Sequence, residues 1–291
     1  MPPSAPARRL GAGVWSCGSH TLSLVRPLVM GIVNVTPDSF SDGGGTSTMH
    51  DAVRAARAQV GAGADIVDVG GESTRPGATS VSIEDELARV LPVIEALARD
   101  GAVVSVDTRH AEVASACVEA GAAIVNDIGG FREPRMVDVA RCTEAGLVVM
   151  HMLGEPATMQ SAPSYTDVVA EVVAFLGERT ADLLAAGVGR ERIVVDPGIG
   201  FGKTLEHNLQ LLMRTRDLGT LGFPVLVGMS RKRLVGEITG VAEPRCRVAG
   251  SVGGAVALSQ RGVAVLRVHD VAETVEALKM AEAIAKGKAS W

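Results

Sequence analysis

Eight short apolar runs recur along the chain, and each closes on a polar residue. Residues 28–33 lead to Asn34, 65–67 to Asp68, 103–106 to Asp107 and 122–125 to Asn126. Residues 147–150 lead to His151, 193–195 to Asp196, 224–229 to Ser230-Arg231-Lys232 and 263–266 to Arg267-Val268-His269. Segments of helical periodicity separate almost all of them. Strand–helix alternation repeated eight times predicts an α/β fold of the (β/α)8, or TIM, barrel type. In that architecture the C-terminal strand ends share one face, so the closing residues would converge on a single cavity.

The flanks and helix signals fill in this outline. Residues 17–24 alternate as a β-hairpin ahead of the barrel, placed to plug its N-terminal end. Residues 1–13, rich in Pro, Ala and Arg, are expected to be a disordered extension, leaving 14–291 as one barrel domain. Ser82 and Asp85 form a capping-box pattern opening a helix over 83–98, which Pro92 is expected to kink or break near Leu91. Gly121 and Gly187 stop helices over 111–120 and 167–186. Asp270 and Glu273 form a second capping-box pattern, opening a helix over 271–285. Two long polar loops, TPDSFSDGGGTS at 36–47 and GGESTRPGATS at 70–80, follow the first two strands and are expected to act as lids.

Composition narrows the class. A length of 291 residues suits one barrel, and 47% hydrophobic content with only 3% aromatics requires a core of Val, Ala, Leu and Ile, as buried parallel strands favour. A net charge of −5 argues against a general nucleic-acid binder, although local positive charge could still hold a small anion. The four cysteines form no CxxC pair, and no disulfide framework is expected. Cys117 and Cys142, on helical segments, read as small buried hydrophobes. No stretch suits a membrane span, and residues 1–10 lack the apolar centre of a signal peptide. A cytoplasmic protein without membrane or nucleic-acid partners is the expectation.

The strand ends carry the candidate chemistry. Asp107, Asn126 and Asp196 offer donors and acceptors to a flat heterocycle bearing amino and carbonyl groups, such as a pterin or purine. Each alone could be a strand-end cap, but three from separate strands favour a ligand. Lys232 follows the seventh strand, where barrels commonly place anion sites. Arg267 and His269 lie on one face of the eighth strand and, with the next helix N-terminus, could hold a phosphate or diphosphate. The alternative for that pair is a salt-bridged rim. Asn34 offers a neutral oxygen to Mg²⁺.

The stretch DPGIGFGKT at 196–204 is not a P-loop, because GxxxxGK[ST] would need Gly where Pro197 stands. Its glycines instead let the backbone approach a ligand, with Phe201 or Lys203 lining it. His151, between Met150 and Met152, is open to two readings, a general base or a packed core histidine.

These stretches resemble the dihydropteroate synthase family of folate biosynthesis, which sulfonamides inhibit. The resemblance lies in MGIVNVTPDSFSDGG from Met30, DVGGESTRPGA from Asp68, SVDT from Ser105, NDIGG from Asn126, MHM from Met150, DPGIGFGKT from Asp196, SRK from Ser230 and RVHD from Arg267. It implies a pterin-binding barrel enzyme, an alkyl-group transferase that condenses (7,8-dihydropterin-6-yl)methyl diphosphate with 4-aminobenzoate to 7,8-dihydropteroate and diphosphate. Asp107, Asp196 and Lys232 would be catalytic. The pterin diphosphate would meet these three together with Thr74, Arg75, Asn126, Met150, Arg267, Val268 and His269. Phe40, Pro76, Phe201 and Arg233 would surround the 4-aminobenzoate, and Asn34 would coordinate Mg²⁺. The family also implies a homodimer, for which the small-residue helix over 248–258 is the sequence support. Two other readings stay open. A non-catalytic pterin-binding paralogue should show damage in the two loops or in SRK and RVHD, which are intact. A pterin-dependent methyltransferase would have no use for GGESTRPG or RVHD.

Overall fold

The eight apolar runs become eight parallel strands in the computed structural model, which describes residues 13–36, 45–73 and 81–288, side chains of 45–48 excepted. An antiparallel hairpin, β1 (Val14–Cys17) and β2 (His20–Ser23), precedes the barrel. The barrel strands are β3 (Leu28–Asn34), β4 (Ile66–Gly70), β5 (Val104–Asp107), β6 (Ile124–Asp127), β7 (Gly146–Met150), β8 (Ile193–Asp196), β9 (Leu226–Val227) and β10 (Val265–Val268). The helices that cover them are α1 (Gly45–Gly61), α2 (Ile83–Arg99), α3 (Ala111–Glu119), α4 (Pro134–Cys142), α5 (Val168–Ala185), α6 (Leu205–Met213), the single turn α7 (Thr215–Leu218), α8 (Arg233–Thr239), α9 (Val248–Gln260) and α10 (Val271–Lys286). None of the described helices is long and apolar enough to cross a membrane.

The strand order is β8-β7-β6-β5-β4-β3-β10-β9. A parallel bridge from Val195 to Val225, with Val195 N–H donating to the Pro224 carbonyl at 2.9 Å, joins the two ends. β9 is shorter than its apolar run: Pro224, with no N–H to donate, lies before it, and residues 228–229 leave the ladder after it.

Strand alternation sorts side chains into two cores. Leu28, Met30, Ile66, Ile124, Val148, Val194, Leu226 and Val265 fill the lumen, and Trp15, Cys17 and Leu24 of the hairpin region pack against them. The hairpin therefore closes the N-terminal end. Trp15 is fully buried, and its indole N–H donates to the Arg192 carbonyl at 2.9 Å. The second core, including Val29, Val33, Val67, Val69, Val104 and Val106, lies between strands and helices. With its floor filled this way, the lumen keeps its polar residues for the opposite end.

Three local expectations change. α2 runs unbroken through Pro92; the carbonyl freed by the missing N–H belongs to Ala88, which is exposed and open to water. Ser82 does cap α2, accepting from Asp85 N–H at 3.1 Å. Asp270 makes no side-chain cap to α10, because its carboxylate is taken by Arg231, with Nε at 3.1 Å. All four cysteines are free, and Cys117 is buried, but Cys142 is exposed at the end of α4 rather than packed inside.

Candidate active site

Sheet register sets the first level of the site. Asn34 pairs with Gly70, Gly70 with Asp107, and Asp107 with Asn126, so four neighbouring strands bring these positions to one height at the open rim. Gly70 leaves a gap in that row. A β-carbon there would stand 3.7 Å from Asn34 Oδ1 and 3.8 Å from Asp107 Oδ2. The amide and the carboxylate thus flank one opening.

Asp68 lies two residues earlier on β4, one level deeper, and is fully buried. Its Oδ2 accepts from Arg267 Nε at 2.6 Å and from Asn126 Nδ2 at 3.1 Å. Arg267 Nη2 donates to Asp107 Oδ2, also at 2.6 Å. One guanidinium fork thereby serves two carboxylates from different strands. Burial works against the Arg267 charge, but Asp68 and Asp107 outweigh it and hold its pKa above the ordinary value. Burial pushes the Asp107 carboxyl upward, with Arg267 opposing and the Asp68 carboxylate assisting. Asp68 Oδ1 has no hydrogen-bond partner among the described residues. A buried carboxylate oxygen left unpaired is costly.

Asp196, across the lumen, accepts the Gly198 N–H on Oδ1 at 2.7 Å. Burial raises its pKa, and Lys232 opposes that rise. Burial likewise draws the Lys232 ammonium down to about 8, with Asp196 opposing. Lys232 Nζ donates to the Ile199 carbonyl at 2.5 Å and stands 4.7 Å from the centre of the Phe201 ring. Met150 is buried in a small cluster with Ile128, Met152 and Met159, against which Phe201 packs. Polarisable thioethers beside an aromatic ring give a wall suited to a flat ligand.

His269 sits beside Ser230, its N–H donating to the hydroxyl at 3.1 Å and its Nδ1 3.2 Å from it. Burial, then Arg267 and Arg231, lower the imidazole pKa to about 3, so it is neutral near pH 7. His151 is the packed histidine of the two readings. It is buried, edge-on to Phe175 at 4.9 Å, and its Nδ1 lies 2.9 Å from Lys203 Nζ.

Some expected residues fall elsewhere. Val268 packs into the outer core, so only its main chain could meet a ligand. Arg233, directly after Lys232, is 87% exposed, with Nε reaching Glu237 Oε1 at 2.6 Å along α8. Thr74, Arg75, Pro76 and Phe40 lie outside the described residues, as do most of the two loops expected to be lids. Asp68 and Ser230, which the sequence offers only as closing residues of apolar runs, are central here, and Lys203, offered with Phe201 as lining a ligand, is buried within the glycine loop. Asp68 could have been found from strand alternation, because it shares a face with Gly70. The partners of Ser230 and of Lys203 across the barrel, His269 and His151, are distant in sequence and left no local signal.

A barrel whose strand ends bring two carboxylates, an amide, a lysine and an arginine to one open lumen defines a barrel enzyme acting on a small polar molecule. The family model described as pterin binding enzyme matches residues 30–269. The dihydropteroate synthase of Escherichia coli (strain K12) is 48% identical over 269 residues, 92% of this chain and 95% of that one. Among solved structures, the Xanthomonas albilineans dihydropteroate synthase with 4-aminobenzoic acid is similar at TM-score 0.89 and 49% identity, covering 94% of this chain and 98% of that one. The same enzyme in complex with 7,8-dihydropteroate gives TM-score 0.86 and 46% identity, covering 93% and 98%. The chain belongs to the pterin-binding enzyme family and, within it, to the dihydropteroate synthases.

Proposed function

We propose that this chain performs the family reaction with the lumen residues in defined roles. The amine nitrogen of 4-aminobenzoate forms a bond to the exocyclic methylene of the dihydropterin, the bond from that carbon to the diphosphate oxygen breaks, and the amine loses a proton. Asp107, Asn126 and Asp196 offer acceptors and a donor to the amino and ring N–H groups of a pterin edge, and Met150 lies against its face. The convergence of Asp107, Asn126, Asp196, Lys232 and Arg267 from separate strands and loops is the observation that carries this reading.

Arg267 and His269 receive the diphosphate as its charge grows. Lys232 steadies the pterin on the side of Asp196. The two carboxylates, Asp107 and Asp196, stabilise positive charge that develops on the methylene as the leaving group departs. No covalent enzyme intermediate is required. Phe201, beside Lys232, forms one wall for the aromatic ring of 4-aminobenzoate. Asn34 Oδ1, at the rim beside Asp107, suits Mg²⁺, which binds through one or two protein oxygens and the substrate phosphates. Bound there, the ion would neutralise charge on the leaving diphosphate.

We also place self-association on the face formed by α6, α8 and α9. Leu209, Met213 and Ile238 are 43%, 63% and 56% exposed there, beside an apolar groove of about 340 Å³. The small residues of α9 serve packing within the chain as well: a β-carbon on Gly250 would meet Val235 Cγ1 at 2.6 Å, and one on Gly254 would meet Met229 Sδ at 2.6 Å.

The direct test is incubation with the pterin diphosphate, 4-aminobenzoate and Mg²⁺, followed by mass spectrometry. Formation of 7,8-dihydropteroate only with both substrates supports the proposal. Pterin binding without product would mark a binding-only paralogue and overturn it.

A further inference from the structure

The proposed reaction gives Lys203 no part, yet its side chain is buried at the centre of the glycine-rich loop. Its Nζ lies 2.9 Å from His151 Nδ1, 3.0 Å from the Gly198 carbonyl and 2.9 Å from the Phe201 carbonyl. Burial draws the Lys203 pKa down to about 7, with Asp196 opposing; the protonated side chain has three N–H donors for these three acceptors. His151 stands immediately after β7, so the lysine ties the loop to the barrel wall.

The loop needs such a tie. Gly198, Gly200 and Gly202 have φ of +67°, +86° and +63°, conformations open to glycine but not specified by it. Glycine brings the greatest backbone freedom to be lost on ordering. Three of the loop's carbonyls are sorted between two lysines. Those of Gly198 and Phe201 turn to Lys203, whereas that of Ile199, between them in the chain, goes to Lys232 at 2.5 Å. The ring of Phe201 lies 4.7 Å from the same Lys232 ammonium. Neutral side chains hold other groups of the loop: Asn208 Oδ1 accepts the Gly200 N–H at 2.8 Å, Gln160 Nε2 donates to the Gly200 carbonyl, and Tyr165 OH donates to the Gly202 carbonyl at 2.9 Å. Without the Lys203 ammonium, two inward carbonyls would lose their partner. Peptide rotation to recover one would move Ile199 or Phe201 with it.

We propose that Lys203 is a positioning residue: it gathers the Gly198 and Phe201 carbonyls around its buried ammonium and so fixes the loop that presents Ile199 and Phe201 to Lys232. This role rests on the proposed function, in which Phe201 and Lys232 border the two substrates.

The test uses the full chain with Lys203→Met, which keeps the length of the side chain and removes its donors. Diphosphate release is followed at varied 4-aminobenzoate, and His151 is observed by ¹⁵N NMR. Wild type should show the His151 tautomer with the proton on Nε2, and the variant should lose that preference. kcat/KM should fall roughly 10–100-fold, as a misplacement near 1 Å can produce, chiefly through a higher KM for 4-aminobenzoate. Combining it with Phe201→Ala should add little, because both changes act through the same ring. A lower melting temperature with kcat/KM within about twofold of wild type would overturn the role. So would effects that multiply with those of Phe201→Ala. Should Lys203→Met not fold, Tyr165→Phe loosens the same loop at Gly202; a several-fold fall in kcat/KM supports the role, and unchanged kinetics overturns it. A wild type that releases no diphosphate overturns the proposed function and this role together, whereas an active wild type with an indifferent Lys203→Met overturns this role alone.

Discussion

Arg267 and Asp68, 199 positions apart in the chain, meet across the floor of the active site at 2.6 Å. β4 and β10 both neighbour β3, one on each side, so the pair spans one intervening strand. Removing one partner of a buried ion pair costs about 3–5 kcal/mol, because the other charge stays buried. Asp68→Ala is therefore expected to lower stability on that scale in urea denaturation, and Asp68→Asn by less. Calorimetry on Asp68→Asn should also show weaker pterin binding, since the acceptor shared by Asn126 and Arg267 loses its charge. Full stability and affinity in Asp68→Ala would show that the contact does not order the site.

His269 gives stability a pH dependence. Its folded pKa is about 3, whereas the unfolded value is near 6.5. Between these values the unfolded chain binds a proton that the native state refuses. The stabilisation is thus complete above about pH 6.5 and is lost as the pH falls toward 3. Asp107 and Asp127, whose pKa values burial raises, act in the opposite sense on acidification. The informative quantity is the difference between wild type and His269→Gln. Denaturation should give a constant difference above pH 6.5 and one moving in favour of the variant below it. A pH-independent difference would contradict the neutral, buried imidazole.

Gly198 tests the close passage of the loop against the barrel. A β-carbon there would fall 1.9 Å from the His151 carbonyl oxygen, and φ is +67°. Gly198→Ala is expected to lose more than the ~1 kcal/mol of an ordinary Gly-to-Ala conformational penalty. Asp196 and Lys232 flank this loop, so activity should fall with stability. Thermal melts and diphosphate release measured on the same preparation check both.

Metal removal should separate binding from departure. With EDTA, a pterin lacking the diphosphate should bind unchanged by calorimetry, while turnover of the pterin diphosphate should cease and return with Mg²⁺. A sulfonamide should compete with 4-aminobenzoate and not with the pterin. Turnover unaffected by EDTA would remove the metal from the account.

Self-association on the α6–α8–α9 face should fail when charge is placed in it. Wild type is expected to sediment as a dimer, and Met213→Glu with Ile238→Glu as a monomer. A monomeric wild type would contradict that placement.

Much of this architecture was legible in the sequence because parallel strands buried on both faces write themselves as short apolar runs. All eight appear, and Asp107, Asn126, Asp196 and Arg267 stand at or next to the ends of their strands, with Lys232 at the start of α8 beyond β9. What alternation conceals is depth. Asp68 reads as the end of its run, but β4 continues to Gly70, which places the carboxylate a level lower and under Arg267. Capping patterns also mislead where a stronger partner competes: Asp270 sits where a cap belongs and gives its carboxylate to Arg231. The tie between Lys203 and His151 spans 52 positions and follows from the turn of a glycine loop, which no local periodicity encodes.

The most direct measurement is diphosphate release by the purified protein given the pterin diphosphate, 4-aminobenzoate and Mg²⁺, compared with Lys232→Ala and Arg267→Ala. The account predicts release that requires both substrates and falls by at least ~100-fold in each variant, as loss of charge stabilisation in a buried site produces. Release without 4-aminobenzoate, or variants as fast as wild type, would contradict it.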